Sequence, residues 1–207
     1  MTQDYYSYIR GFFDRWAALY NIVVAPLAWV RTKEVAVTAA EKGSRILDVC
    51  TGTGKQAFAF AKKGYPVTGI DFSKSMLKIA AKNNKYPNLK LDFGDSAHLP
   101  YDDAAFDVSC VAFGLHEMPP EVREKVVKEM VRVTRPGGAI VVMDYAMPQN
   151  KIGRFFIYNF IRLYETEYYP EFVHSDIPAF LKHQGVILEA EKPVMLHAGR
   201  IYKGKRP

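Results

Sequence analysis

The chain has 207 residues, 49% of them hydrophobic, enough for one globular domain with a full-sized core. Its longest apolar run, residues 22–30, is too short to span a bilayer and is broken by Pro26. The net charge is +6, but the Lys and Arg residues are scattered, and no RNA-binding signature or base-reading basic helix is present, so nucleic acid is not expected as a partner.

Two cysteines, Cys50 and Cys110, fall inside apolar strand-like runs and read as buried thiols, so neither a disulfide nor a metal is expected. Residues 1–10 are polar and aromatic, with no apolar signal-peptide core, and a cytoplasmic location is the expectation. The excess positive charge serves solubility, with peripheral contact to an anionic membrane as the alternative use.

Residues 5–20 are rich in aromatics, and Phe12, Trp16 and Leu19 with Tyr20 repeat at helical spacing. They predict an amphipathic helix, either packed on the domain or closing over a site as a lid. A second helix is expected over 27–41. A buried strand at 46–50, a Gly-rich turn and a helix at 55–63 follow. Further strands are expected at 65–71, 89–93, 106–113 and 139–144. Helices fall at 73–83, with Ser73 as N-cap, and at 121–133, with a short one near Ala97. An aromatic helix over 152–169 and a short helix ending at Gln184 come next. Two strands, 186–190 and 194–202, joined at Pro193, close the chain as a hairpin.

Alternating strands and helices imply a doubly wound, Rossmann-like α/β sheet of seven strands, mostly parallel with an antiparallel C-terminal hairpin strand. The expected layout is one domain: a helical lid at 1–42, a cofactor-binding core at 43–145, and substrate-side helices with the hairpin at 146–207.

The strand–turn–helix unit around Gly52 and Gly54 brings backbone N–H groups and a positive helix end to whatever lies over the turn. Asp71, ending the second strand, suits both hydroxyls of a ribose. Asp95, in Gly94-Asp95-Ser96-Ala97, suits an adenine amine, and the apolar Phe72, Met76 and Leu99 suit the ring. Asp48 would crowd a diphosphate but would attract the ammonium of an amino-acid cofactor. Residues 52–57 also satisfy G-x-G-x-x-A, so a nicotinamide oxidoreductase stays as an alternative; Gln56 after Gly54-Lys55 excludes a Walker A loop.

Residues 47–54 (LDVCTGTG), 69–77 (GIDFSKSML), 94–100 (GDSAHLP), 106–108 (FDV) and 132–138 (RVTRPGG) occur in this order. Together they resemble a class I S-adenosylmethionine-dependent methyltransferase, nearest to the small ubiquinone/menaquinone-biosynthesis group. The resemblance covers residues 43–145. It implies S-adenosyl-L-methionine as cofactor, held at its methionine end by Asp48 and by the turn of Cys50, Thr51, Gly52 and Gly54. It further implies Asp71 at the ribose and Asp95 with Ala97 at the adenine, with Ser96, Ala112, Phe113 and Tyr20 as neighbours. Cys50 stands where the motif usually has Gly.

His116, in the loop after the fourth strand, is the candidate general base, while Glu165, Glu167 and His174 are further substrate contacts. The aromatic lid and helix point to a small, hydrophobic or aromatic acceptor, such as a quinone precursor or lipid head group. A protein that binds the cofactor without catalysis is the third reading, and either a monomer or a homodimer is compatible with the chain.

Overall fold

The computed structural model describes residues 5–12, 28–148, 150–163 and 165–207. Strand β1 (Ile46–Val49) is buried at every position, and so reads as an apolar run interrupted only by Asp48. It lies near the middle of a seven-stranded sheet of order β3-β2-β1-β4-β5-β7-β6. The other strands are β2 (Val67–Asp71), β3 (Leu89–Phe93), β4 (Phe106–Ala112), β5 (Thr134–Tyr145), β6 (Ile187–Val194) and β7 (Gly199–Lys205). Strands β1 to β5 pair in parallel, while β7 runs antiparallel to both β5 and β6.

Helices cover both faces: α1 (residues 5–12), α2 (Ala28–Thr38), α3 (Lys55–Ala61), α4 (Lys74–Asn83), α5 (Pro120–Val133), α6 (Lys151–Arg162), α7 (Tyr169–His174) and α8 (Ile177–His183). Alternation along β5 divides its side chains between two cores. Ile140 and Val142 join Leu47, Val111 and the buried stripe of α5, whereas Val141 and Met143 join Ile46, Phe60 and Ile201. Within that stripe, burying Val126, Val127 or Met130 stabilises by roughly 1.5–3 kcal/mol each. Strand order reverses between β1 and β4, and the crevice at their carboxyl ends is where such sheets bind ligands.

Several local expectations are revised. The aromatic stretch expected as one helix over 152–169 is helical only to Arg162, and a second helix, α7, opens at Tyr169 with Pro170 in its first turn. Pro193 lies within β6 rather than at the hairpin connection. Since β6 is an edge strand, a missing ladder donor is tolerated there. The turn itself is at Met195, Leu196 and His197, with φ of 52°, 53° and 73°. The segment near Ala97 is a turn, and β5 begins at Thr134, five residues before the expected 139. Ser73 does cap α4, accepting from the Met76 N–H at 3.3 Å. No helix among the described residues is long and apolar enough to cross a membrane.

Candidate active site

Beyond β1 the chain turns through Cys50, Gly52 and Gly54, whose φ values are 56°, 55° and 81°. Gly54 begins α3, and a Cβ there would stand 2.8 Å from the Phe58 ring. Cys50 holds a left-handed conformation that favours glycine, which explains in physical terms why glycine is the usual residue at this point of the motif. Phe113, just past β4, is left-handed as well, at φ 54°. The two loops touch: a Cβ on Gly114 would lie 3.1 Å from Cys50 Cβ.

Between these loops lies a partly open cavity, walled by residues of both loops and of α1 and α2. Of the residues singled out from sequence, Asp48, Cys50, Thr51, Gly52, Asp71, Phe72, Met76, Ala112 and Phe113 line it. Gly54, Gly94, Asp95, Ser96, Ala97 and His116 do not contribute to its wall. Cys50 Sγ, 3.4 Å from Ser96 Oγ, links the wall to the loop after β3. Asp95 accepts from the Tyr6 hydroxyl at 2.8 Å and from the Ala97 N–H at 2.9 Å. Tyr20, together with Trp16, lies outside the described residues.

Two buried carboxyl groups stand at the ends of β1 and β2. Asp48 Oδ2 accepts from Thr51 Oγ1 at 2.5 Å, and burial pushes its pKa up to about 6 despite that bond. Asp71 accepts from the N–H groups of Gly52 and Ser73, each at 2.8 Å, and burial raises it to about 6 as well. Each carboxylate keeps acceptor sites for a ligand, since its two oxygens offer about four lone-pair positions.

Sequence reasoning missed other parts of the wall: Tyr5 and Ile9 of α1, Arg31 of α2, and Gln56, Glu117 and Met118. Arg31 is buried and its positive charge favours ionised Asp48. Gln56, 3% exposed, leaves both amide atoms without a hydrogen-bond partner. Burial raises the Glu117 carboxyl, whose Oε2 is buried and unbonded. The signal for Glu117 was its place beside His116, whereas Arg31 and Gln56 belong to no motif from which a binding role could be read.

His116 itself is 2% exposed, with both ring nitrogens engaged. Nδ1 lies 2.6 Å from Asp144 Oδ1, while Nε2 lies 3.2 Å from Glu165 Oε2 and 3.5 Å from Glu117 Oε1. Burial alone would lower its pKa, but the charges of Asp144 and Glu165 outweigh it and hold the imidazole protonated well above its usual range. His116, Glu117 and Glu165 are the one group of metal-ligating side chains brought together among the described residues, with ligand atoms within 4.8 Å. As it stands the imidazole forms a buried ion-pair network with these carboxyl groups and Asp144.

Residues 46–138 match the family model described as a methyltransferase domain. Over those residues the chain is similar to a methyltransferase domain. A demethylmenaquinone methyltransferase of Staphylococcus aureus is 41% identical over 111 residues, which are 52% of this chain and 45% of that protein. The chain thus spans about half the length of the curated relatives it matches. Among solved structures, a chain of the Haloferax volcanii complex containing the Trm112 methyltransferase activator superposes with a TM-score of 0.76 at 17% identity, covering 96% of this chain and 97% of that one. A SAM-dependent methyltransferase from Aquifex aeolicus gives 0.66 at 21% identity, covering 84% and 88%. These structural likenesses speak to the fold.

The lining of the cavity fits the S-adenosylmethionine that the sequence resemblance implies. A zwitterionic amino-acid end needs both signs of charge, and Asp48 and Arg31 supply them on one wall. The unbonded amide of Gln56 adds donors and an acceptor whose burial is otherwise uncompensated. Asp71 retains acceptor capacity for a diol, and Phe72 and Met76 give apolar surface for a flat ring.

Proposed function

We propose that the protein transfers the methyl group of S-adenosyl-L-methionine to a small apolar or aromatic acceptor. The observation that carries this reading is the placement of Asp48, Asp71, Arg31 and Gln56 on the same cavity as Glu117. A quinone precursor heads the acceptor classes, because the Staphylococcus aureus relative is named for demethylmenaquinone; a lipid head group is the next.

When bound, the cofactor supplies an electrophilic methyl on a sulfonium. The protein's part is alignment and exclusion of water. Asp48 and Arg31 hold the charged amino-acid end, Asp71 holds the ribose, and Phe72 and Met76 flank the adenine. Asp95 and Ala97 serve the adenine edge once Tyr6 shares or releases Asp95. Phe113 and Tyr5 offer aromatic faces to a cationic centre. Glu117, with Oε2 unbonded, accepts a hydrogen bond from the acceptor molecule. His116, closed in by carboxylates, acts as a positioning residue for Glu117 rather than as the base.

Calorimetric titration with S-adenosylmethionine, its demethylated product and NADH tests the reading. Binding of the first two, lost in Asp71→Ala, is the expected result; binding of NADH alone would overturn it. Labelled methyl transfer to a quinol analogue, an aminophospholipid and polar metabolites then sorts the acceptor classes, and turnover of polar metabolites alone sinks the apolar one.

A further inference from the structure

Helix α6 is apolar on two opposite faces. Ile157 and Ile161 pack inward, and Ile161 is buried in the core that also holds Phe113, Tyr145 and Tyr169. Ile152, Phe155, Phe156 and Leu163 lie on the other side, at i, i+3, i+4 and i+11, a single stripe at about 3.6 residues per turn. They are 74%, 65%, 67% and 83% exposed. A helix that is apolar outward as well as inward needs a second apolar medium.

The charges beside the stripe say which medium. Residues 146–163 contain Lys151, Arg154 and Arg162 and no Asp or Glu, in a chain of net charge +6. Basic residues flanking bulky aromatic and aliphatic side chains are the pattern of helices that lie in the headgroup region of a bilayer. A protein partner would have to be acidic and apolar over the same short stripe, whereas an anionic bilayer offers both properties over any area.

We propose that α6 docks the protein onto an anionic membrane surface, with Phe155, Phe156, Ile152 and Leu163 inserted between headgroups and Lys151 and Arg162 against lipid phosphates. The helix is tied to the ion-pair network behind the cavity: Tyr158 stacks on Tyr169 at 6.0 Å, and Glu165, just beyond α6, bonds Tyr145 and His116, which in turn lies 3.5 Å from Glu117 of the cavity wall. Docking by α6 therefore sets the cavity at a fixed place relative to the lipid. The inference rests on the surface of α6 and stands apart from the identity of the methyl acceptor.

Co-sedimentation of the full chain with vesicles of phosphatidylcholine, with and without phosphatidylglycerol, is the test. Partition onto the anionic vesicles is expected, weakening with salt and falling by about fivefold for each of Lys151→Ala and Arg162→Ala. The double variant Phe155→Ser/Phe156→Ser should lose partition while keeping its circular dichroism and cofactor binding. Equal partition onto neutral and anionic vesicles, or none onto either, overturns the proposal. So does a dimer in light scattering that the same double substitution converts to monomer, since a second copy would then be the occupant.

Discussion

The hydroxyl of Tyr6 donates to Asp95 Oδ2 at 2.8 Å, joining the first helix to the loop after β3 across 89 residues of sequence. Burial and this bond raise the Tyr6 phenol above its usual range, so it stays a neutral donor. The contact occupies the acidic side chain assigned to the adenine edge. Tyr6→Phe should therefore tighten cofactor binding several-fold, and Asp95→Ala should weaken it; calorimetry on the two variants measures both. A weaker Tyr6→Phe complex would mean that the tyrosine shares the site instead of competing for it.

Asp48 and Asp71 make opposite demands on folding and on binding. Each has a folded pKa near 6 against an ordinary 3.8, because burial disfavours the charge. A raised carboxyl pKa contributes stability that is complete below the ordinary value and is lost as pH rises through the folded one. The ligand-free protein should thus lose on the order of 1–3 kcal/mol per group between about pH 4 and pH 6. Melting curves of Asp48→Asn and Asp71→Asn should show a shallower decline over that window. Binding of a cationic ammonium should strengthen over the same window as Asp48 ionises.

His116→Ala leaves Asp144, which is fully buried, without its charged partner. Removing one member of such a pair costs about 3–5 kcal/mol, visible as a fall in denaturation midpoint. Glu117→Gln keeps the size and one hydrogen-bonding oxygen, so cofactor affinity should stay near wild type while methyl transfer falls at least tenfold. Retained turnover in Glu117→Gln would remove the acceptor-contact role.

Backbone conformation at the turn gives a sharper contrast. Cys50→Gly suits a φ of 56° and should keep cofactor affinity. Cys50→Val places a β-branched residue in the left-handed region, and a loss of roughly 1–3 kcal/mol is expected on chemical denaturation. Equal stability of the two variants would show that the turn relaxes.

The parallel half of the sheet was legible because apolar runs and Gly or Pro punctuation coincide with its strands, and because Asp48 and Asp71 sit where strands end. The aromatic stretch misled: its aromatic pattern continues past Arg162, where α6 ends, and no glycine or proline between 163 and 169 marks that end. His116 was visible as a residue but its partners were not. They are Asp144 and Glu165, 28 and 49 residues away, whose proximity no local spacing encodes. Arg31 and Gln56 were silent for a related reason, since a lone polar residue on a helix looks alike whether it faces water or a cavity.

Pro193 sits in the outermost strand, beside Lys192, Glu191 and Glu189. A strand approaching that rim meets an absent donor and a row of charges, so the sheet cannot be lengthened there by a stray chain. Its other rim, β3, has no proline but carries Lys90 and Asp92, paired at 3.0 Å, beside the exposed Phe93. Both outer strands of the sheet therefore carry charge against a stray chain, and only β6 adds a proline to it.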